Sequence, residues 1–178
     1  MKVKTPATIE DLMRMPEEGY KYELVDGEII ASPTGVYHSA VSAQIIYLLK
    51  AFLEKHPIGT VMTPDVGINF PGGNLRSPDV TFVRTEKLPG GLPPRGFGDF
   101  VPDLAVEVLS PSDNRREVAD KIGEYVQCGV PLVWLVDPDA KSVTIFRSLT
   151  DVQRLGSADT ITGEQVLPGF SCPVSRFF

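Results

Sequence analysis

Two carboxylates in this chain stand where carboxylates are costly. Asp79 follows a proline in Arg76-Ser77-Pro78-Asp79-Val80, and Glu107 interrupts the apolar run Leu104-Ala105-Val106-Glu107-Val108-Leu109. An acid inside a strand-like apolar run is unfavourable unless it is paired or binds something. Two such acids side by side repel unless a cation lies between them. All-oxygen ligation suits Mg²⁺ or Mn²⁺. An ion of that kind acidifies a bound water and neutralises charge developing on a phosphate, as hydrolysis of a phosphodiester requires. Lys121 falls on a helix predicted just after Glu107, where a lysine can orient or help deprotonate the attacking water.

These residues need a scaffold. Side chains alternate along a strand, so Asp103, Ala105, Glu107 and Leu109 share one face, while Leu104, Val106 and Val108 face a helix. The sequence predicts a strand over 103–109 and a helix from the cap at Pro111-Ser112-Asp113-Asn114 to Cys128, stopped by Gly129 and Pro131. A buried strand follows over 132–136, giving a parallel pair with a right-handed crossover. Upstream, a strand over 75–83 carries Asp79 and can lie beside Glu107. A strand over 60–70 precedes it, with Pro64 or Gly67 as points of interruption. Thr8 caps a short helix ended by Pro16. Residues 22–30 form a hairpin about Asp26-Gly27, Ser32–Gly35 a loop, and 38–55 the longest amphipathic helix. The Gly- and Pro-rich stretch 84–100 reads as a mobile excursion near the site. Beyond a strand over 142–147, loop and short strand are expected. The fold class is α/β, a mixed sheet flanked by helices.

Length and composition set the bounds. A chain of 178 residues suits one domain, 1–178, with a single core. Its 17 Lys and Arg against 23 Asp and Glu give a formal charge of −6, which argues against a broad basic surface for duplex DNA. Cys128 and Cys172 lack metal-ligand spacing and read as reduced thiols. The start at Met1 lacks a signal-peptide pattern, and no run approaches the length of a membrane span. A cytoplasmic protein without a membrane partner is expected.

Further residues carry two readings each. Lys121 could instead pair with Glu117, four residues before it, on a solvated helix face. Tyr125 shares the face of Lys121 and serves core packing or substrate positioning. Glu23 adds a carboxylate to the site or stays a solvated hairpin acid. His38 bonds the Ser32–Gly35 loop or approaches a phosphate. Arg76 contacts a phosphate or is a surface charge. Trp134 belongs to the core.

Several segments together resemble the Uma-type family of restriction-endonuclease-like proteins, within the PD-(D/E)XK nuclease superfamily. They are Tyr22-Glu23-Leu24-Val25-Asp26-Gly27-Glu28, His38, Ser77-Pro78-Asp79-Val80, Val106 to Ser112, Asp120-Lys121-Ile122-Gly123-Glu124-Tyr125, Gly129-Val130-Pro131 and Trp134 to Pro138. The resemblance covers most of the chain. It implies a restriction-endonuclease-like core, with Asp79 and Glu107 as catalytic metal-binding acids. Leu109 stands where the superfamily pattern has its lysine. Its backbone carbonyl stays available as a metal ligand, and Lys121 takes the lysine's role from the helix.

The expectation is a metal-dependent nuclease acting on nucleic acid, DNA in particular. A homodimer or larger homo-oligomer would let two copies reach both strands. The alternatives are a non-catalytic regulatory or interaction module on a nuclease scaffold, favoured by the acidic charge and by Leu109, and a small-molecule phosphodiesterase using the same acids.

Overall fold

The computed structural model describes residues 6–16, 21–32, 35–65 and 67–178. Helix α1, Ile9–Leu12, begins at Thr8, whose side chain and that of Asp11 cap each other's backbone N–H groups. Strands β1, Lys21–Val25, and β2, Glu28–Ser32, form an antiparallel hairpin. Its turn places Asp26 at φ 49° and Gly27 at φ 75°, the two positive values that a tight hairpin turn requires. Helix α2 spans Val36–Leu53, two residues earlier than the pattern predicted. The loop predicted over Ser32–Gly35 falls largely on residues outside those described, as do Met1 to Thr5.

Strand β3, Gly59–Met62, and β4, Ile68–Asn69, replace the single strand predicted over 60–70. The strand predicted over 75–83 is also two: β5, Leu75–Arg76, and β6, Val80–Arg84. They belong to different sheets. The break falls at Ser77-Pro78-Asp79, because Pro78 has no N–H to continue a ladder. Strand β7, Leu104–Val108, helix α3, Arg115–Gln127, and strand β8, Leu132–Asp137, form the predicted unit, with β7 and β8 parallel. Asn114 caps α3 through the Arg116 N–H. Strands β9, Ser142–Phe146, and β10, Val152–Gly156, extend that sheet, and β11, Thr160–Gly163, pairs with β12, Leu167–Pro173.

The six-stranded sheet has the order β10-β9-β8-β7-β6-β3, and the four-stranded sheet β2-β1-β5-β4. The mixed α/β class is therefore present as expected. Both faces of β7 are covered. Leu104, Val106 and Val108 join a core with Val41, Ile45 and Leu49 of α2 and with Trp134. Ala105 packs instead with Ile122 and Tyr125 of α3. Each fully buried aliphatic side chain of this kind contributes about 1.5–3 kcal/mol. The C-terminal hairpin, expected only as loop and short strand, supplies Ile161, Leu167 and Phe170 to the α2 core.

Two further expectations are corrected. By length and composition α2 could cross a bilayer, so one segment does approach a span. It behaves as a core helix, with Val41, Ile45, Leu48, Leu49 and Leu53 buried. The 84–100 stretch does not border the cleft that holds Asp79 and Glu107. Its buried Leu88 and Phe100 anchor it to the second core, and Arg95, Gly96 and Phe97 line a separate depression with Met13 and Lys50.

Candidate active site

The antiparallel pairing of β6 with β7 sets Val80 against Val106 and Thr81 against Ala105. Continued by one residue, that register places Asp79 opposite Glu107. The backbone N–H of Val108 donates to Asp79 Oδ2 at 2.8 Å, fixing the carboxylate against β7. Both acids are buried, Asp79 to 4% and Glu107 to 8% exposure. They lie in a cleft of about 300 Å³.

Each acid is matched by cations from other elements. Lys21 of β1 donates to Asp79 Oδ1 at 2.8 Å, and His38 of α2 reaches Oδ2 through Nε2 at 2.9 Å. An ionised carboxylate only accepts, so Nε2 carries the proton. His38 Nδ1 is buried without a partner among the described residues. Lys121 of α3 lies 3.1 Å from Glu107 and 3.0 Å from Glu23 Oε1. Tyr125, one helical turn on, donates to Glu107 Oε1 at 2.7 Å. Glu117 accepts from its own helix cap Asn114, so the Glu117–Lys121 surface pair is not formed.

Glu23 also accepts from the Ser77 N–H at 2.8 Å, which ties β1 to the turn carrying Asp79. Arg76 is 8% exposed and committed, donating from Nε to Glu124 Oε2 at 2.8 Å and lying 3.6 Å from Glu23. It is a buried structural cation, not the surface charge considered from sequence, and both its acidic partners are internal. Leu109 follows the end of β7, and its N–H donates to the Val136 carbonyl at 2.8 Å. Val108, rather than Leu109, lines the cleft.

The electrostatics follow from this packing. Burial alone would raise Asp79, but the Lys21 charge and the His38 hydrogen bond win and hold it well below the usual carboxylate range. Burial likewise opposes ionisation of Glu23, yet Lys121 and Lys21 lower it. Glu107 goes the other way: burial, with the charges of Asp79 and Glu23, outweighs Lys121 and raises it. Burial would lower Lys121, but Glu107, Glu23 and Asp79 raise it, so its ammonium stays charged. Burial and the adjoining acids push the Tyr125 phenol well up, so it remains a donor. Inside the cleft Asp79, Glu107 and Glu23 thus face Lys21, Lys121 and Arg76, with His38 on Asp79 and Glu124 behind Arg76. The lining further out is acidic, with Asp26, Asp113, Glu117 and Asp120.

The structure brings Asp79, Glu107, Lys121, Glu23, His38 and Arg76 around one cleft, sets Tyr125 behind Glu107 and leaves Leu109 outside the lining. Sequence reasoning missed Lys21 and Glu124. The signal for Lys21 was present: it lies two residues before Glu23 on β1, so the alternation that turns Glu23 inward turns Lys21 inward too.

A mixed sheet with two acids meeting across an antiparallel pair, and a lysine delivered by the crossover helix, defines a restriction-endonuclease-like core. The family model described as "Uma2: Putative restriction endonuclease" matches residues 9–175, and the chain belongs to that nuclease-type family. The fold is also that of a solved structure from Anabaena variabilis, described as "a putative nuclease belonging to DUF820". The two superpose with a TM-score of 0.85 at 20% identity, over 97% of this chain and 98% of the other. No curated protein matches the chain.

Proposed function

We propose that this protein is a metal-dependent nuclease that hydrolyses phosphodiester bonds in DNA. The observation that carries the reading is the meeting of Asp79 and Glu107 across β6 and β7, with Lys121 within 3.1 Å of Glu107 in a cleft. Among the described residues no three acids, histidines or cysteines form a ready-made metal centre. Mg²⁺ needs no such cage, since it keeps several waters and uses one or two carboxylates. The oxygen-only donors of Asp79 and Glu107 fit that demand, and the same donors accept Mn²⁺. When bound, the ion supplies a more acidic water and charge neutralisation at the phosphate.

The chain's own groups do the rest. Lys121 stays protonated between Glu107 and Glu23, where it orients the attacking water and offers its charge to the phosphate. Tyr125 fixes one oxygen of Glu107 and keeps the carboxylate aimed at β6. Val108 N–H and His38 hold Asp79. The acidic outer lining repels a bare polyanion, so a cation in the cleft also favours substrate approach. A homodimer or larger homo-oligomer would place two clefts on one duplex.

A second reading has a specific observation in its favour. Each acid already has a lysine, Lys21 for Asp79 and Lys121 for Glu107, so the cleft is balanced without an ion. That suits a regulatory module on a nuclease scaffold. Calorimetric Mn²⁺ titration paired with cleavage assays separates the two. Plasmid, single-stranded DNA, RNA and a small phosphodiester should be offered as substrates. The nuclease reading expects Mn²⁺ binding lost in Asp79→Asn and metal-dependent cleavage of DNA. Mn²⁺ binding absent from the wild type would sink it, and cleavage of the small diester alone would make the protein a phosphodiesterase.

A further inference from the structure

The two lysines of the cleft use their donors differently. Lys121 is held between two carboxylates, Glu107 and Glu23. Lys21 has a single carboxylate partner among the described residues, Asp79 Oδ1 at 2.8 Å. An ammonium carries three donors, and Lys21 lines the cleft with 15% of its side chain exposed. The two oxygens of Asp79 differ as well. Oδ2 accepts from Val108 N–H and His38, at 2.8 and 2.9 Å. Oδ1 accepts from Lys21. The oxygen with room for a metal ion is therefore the one that Lys21 covers.

We propose that Lys21 and the divalent cation exclude each other at Asp79 Oδ1, and that the displaced ammonium turns into the cleft to hold a phosphate oxygen of the substrate. This rests on the metal-dependent reading above. A divalent ion on Oδ1 would strongly repel the ammonium beside it, and Lys21, unlike Lys121 with Glu23, has no second carboxylate among the described residues to hold it there. The backbone of Lys21 is pinned opposite Ser32 in the β1–β2 hairpin, so the movement is confined to a flexible four-carbon side chain. The exchange replaces a carboxylate by a phosphate as the ammonium's partner and leaves no charge unpaired. Before metal arrives, Lys21 keeps Asp79 neutralised. Once metal has bound, a phosphate-holding charge becomes free in the same step.

The test uses the full chain as wild type, Lys21→Met, Lys21→Arg and Asp79→Asn. Mn²⁺ affinity is measured by calorimetry, and binding of a fluorescein-labelled DNA duplex by anisotropy with Ca²⁺ present. Competition predicts that Lys21→Met binds Mn²⁺ at least about tenfold more tightly and the duplex about tenfold more weakly. Lys21→Arg should bind Mn²⁺ more weakly than wild type, because its fork grips a carboxylate more firmly. In the wild type, the Lys21 Nζ resonance, assigned by its loss in Lys21→Met, should shift on Mg²⁺ titration. Tighter Mn²⁺ binding in Lys21→Met with Lys21→Arg equal to wild type would reveal only a long-range charge effect and overturn the exchange. Mn²⁺ binding that depends on Asp79 but ignores both Lys21 substitutions would overturn it too, leaving the nuclease reading intact. No Mn²⁺ binding in any variant would remove both.

Discussion

Tyr125 donates its phenolic hydrogen to Glu107 at 2.7 Å, from a fully buried ring to an acid that borders the cleft. The ring is stacked on Phe70 with centroids 5.1 Å apart, so it cannot turn away. A residue of the crossover helix thus fixes one oxygen of a strand acid. Tyr125→Phe keeps the packing and removes the donor, which should cost about 1–3 kcal/mol of stability in a urea melt. The pH profile carries a second signature. Burial, with Asp79 and Glu23, already holds Glu107 above its ordinary value against the pull of Lys121. Loss of a bond to the charged form raises it further. The acid limb of the rate profile should therefore move to higher pH, and an unmoved limb would remove Glu107 from the chemistry.

Lys121→Ala should retain Mn²⁺ binding and lose cleavage. Its removal leaves Glu107 and Glu23 without their shared cation, so Mn²⁺ binding should be at least as tight as in wild type. The loss of a charged donor aimed at the reacting phosphate is worth about 10²–10³-fold in rate. Single-turnover kinetics at saturating Mn²⁺ would check it. Wild-type rates would return Lys121 to a purely structural role.

Arg76→Met should be the most destabilising of these substitutions. Among the described residues it takes the only cation from Glu124, leaving it the Asn74 amide, and one of two cations from Glu23, which keeps Lys121; both acids are largely buried in the region that joins the two sheets. Breaking a buried ion pair from one side costs about 3–5 kcal/mol. Arg76→Lys should recover only part of that, since one ammonium cannot reproduce the fork that grips Glu124. Denaturant midpoints of the three proteins decide the matter, and equal midpoints would mean that Arg76 is dispensable.

The thiols offer a check on the packing itself. Cys172 is buried and its thiol is pushed up to about 11 by that burial, with Arg176 opposing. Cys128 is partly exposed and only raised, again mainly by burial. Because the thiolate is the reactive form, raising the value slows alkylation. Iodoacetamide at pH 8 should label Cys128 first by mass spectrometry, with Cys172 following only on unfolding.

The central unit was legible because its signals are local. The runs at 104–108 and 132–136, the Asn114 cap and Gly129 (φ 89°) each act within a few residues, and they produced the parallel pair and its helix. The hairpin at Asp26-Gly27 was equally plain. The division at Pro78 is less plain, because a single missing N–H ends a ladder without interrupting the apolar pattern around it. The C-terminal hairpin was illegible, since β12 carries Pro168 and Gly169 amid its apolar residues. Within the site, Asp79, Glu107 and Lys121 stood out through residue type and family resemblance. Arg76–Glu124 and Lys21–Asp79 join residues 48 and 58 positions apart, and no short-range pattern encodes such partners.

The crossover at Ser77-Pro78-Asp79 bears on how the molecule matures. The six-stranded sheet can form with Asp79 and Glu107 already opposed, yet Lys21 and Glu23 arrive only when the β1–β2 hairpin pairs with β5 and completes the second sheet. Every strand of the six-stranded sheet finds its partners without that hairpin, whereas the hairpin's place is made only by the second sheet. The single tryptophan, Trp134, lies wholly within the first sheet's core and reports that earlier event. During refolding its fluorescence should recover ahead of ligand binding in the cleft, so that a newly made chain is compact before it is armed.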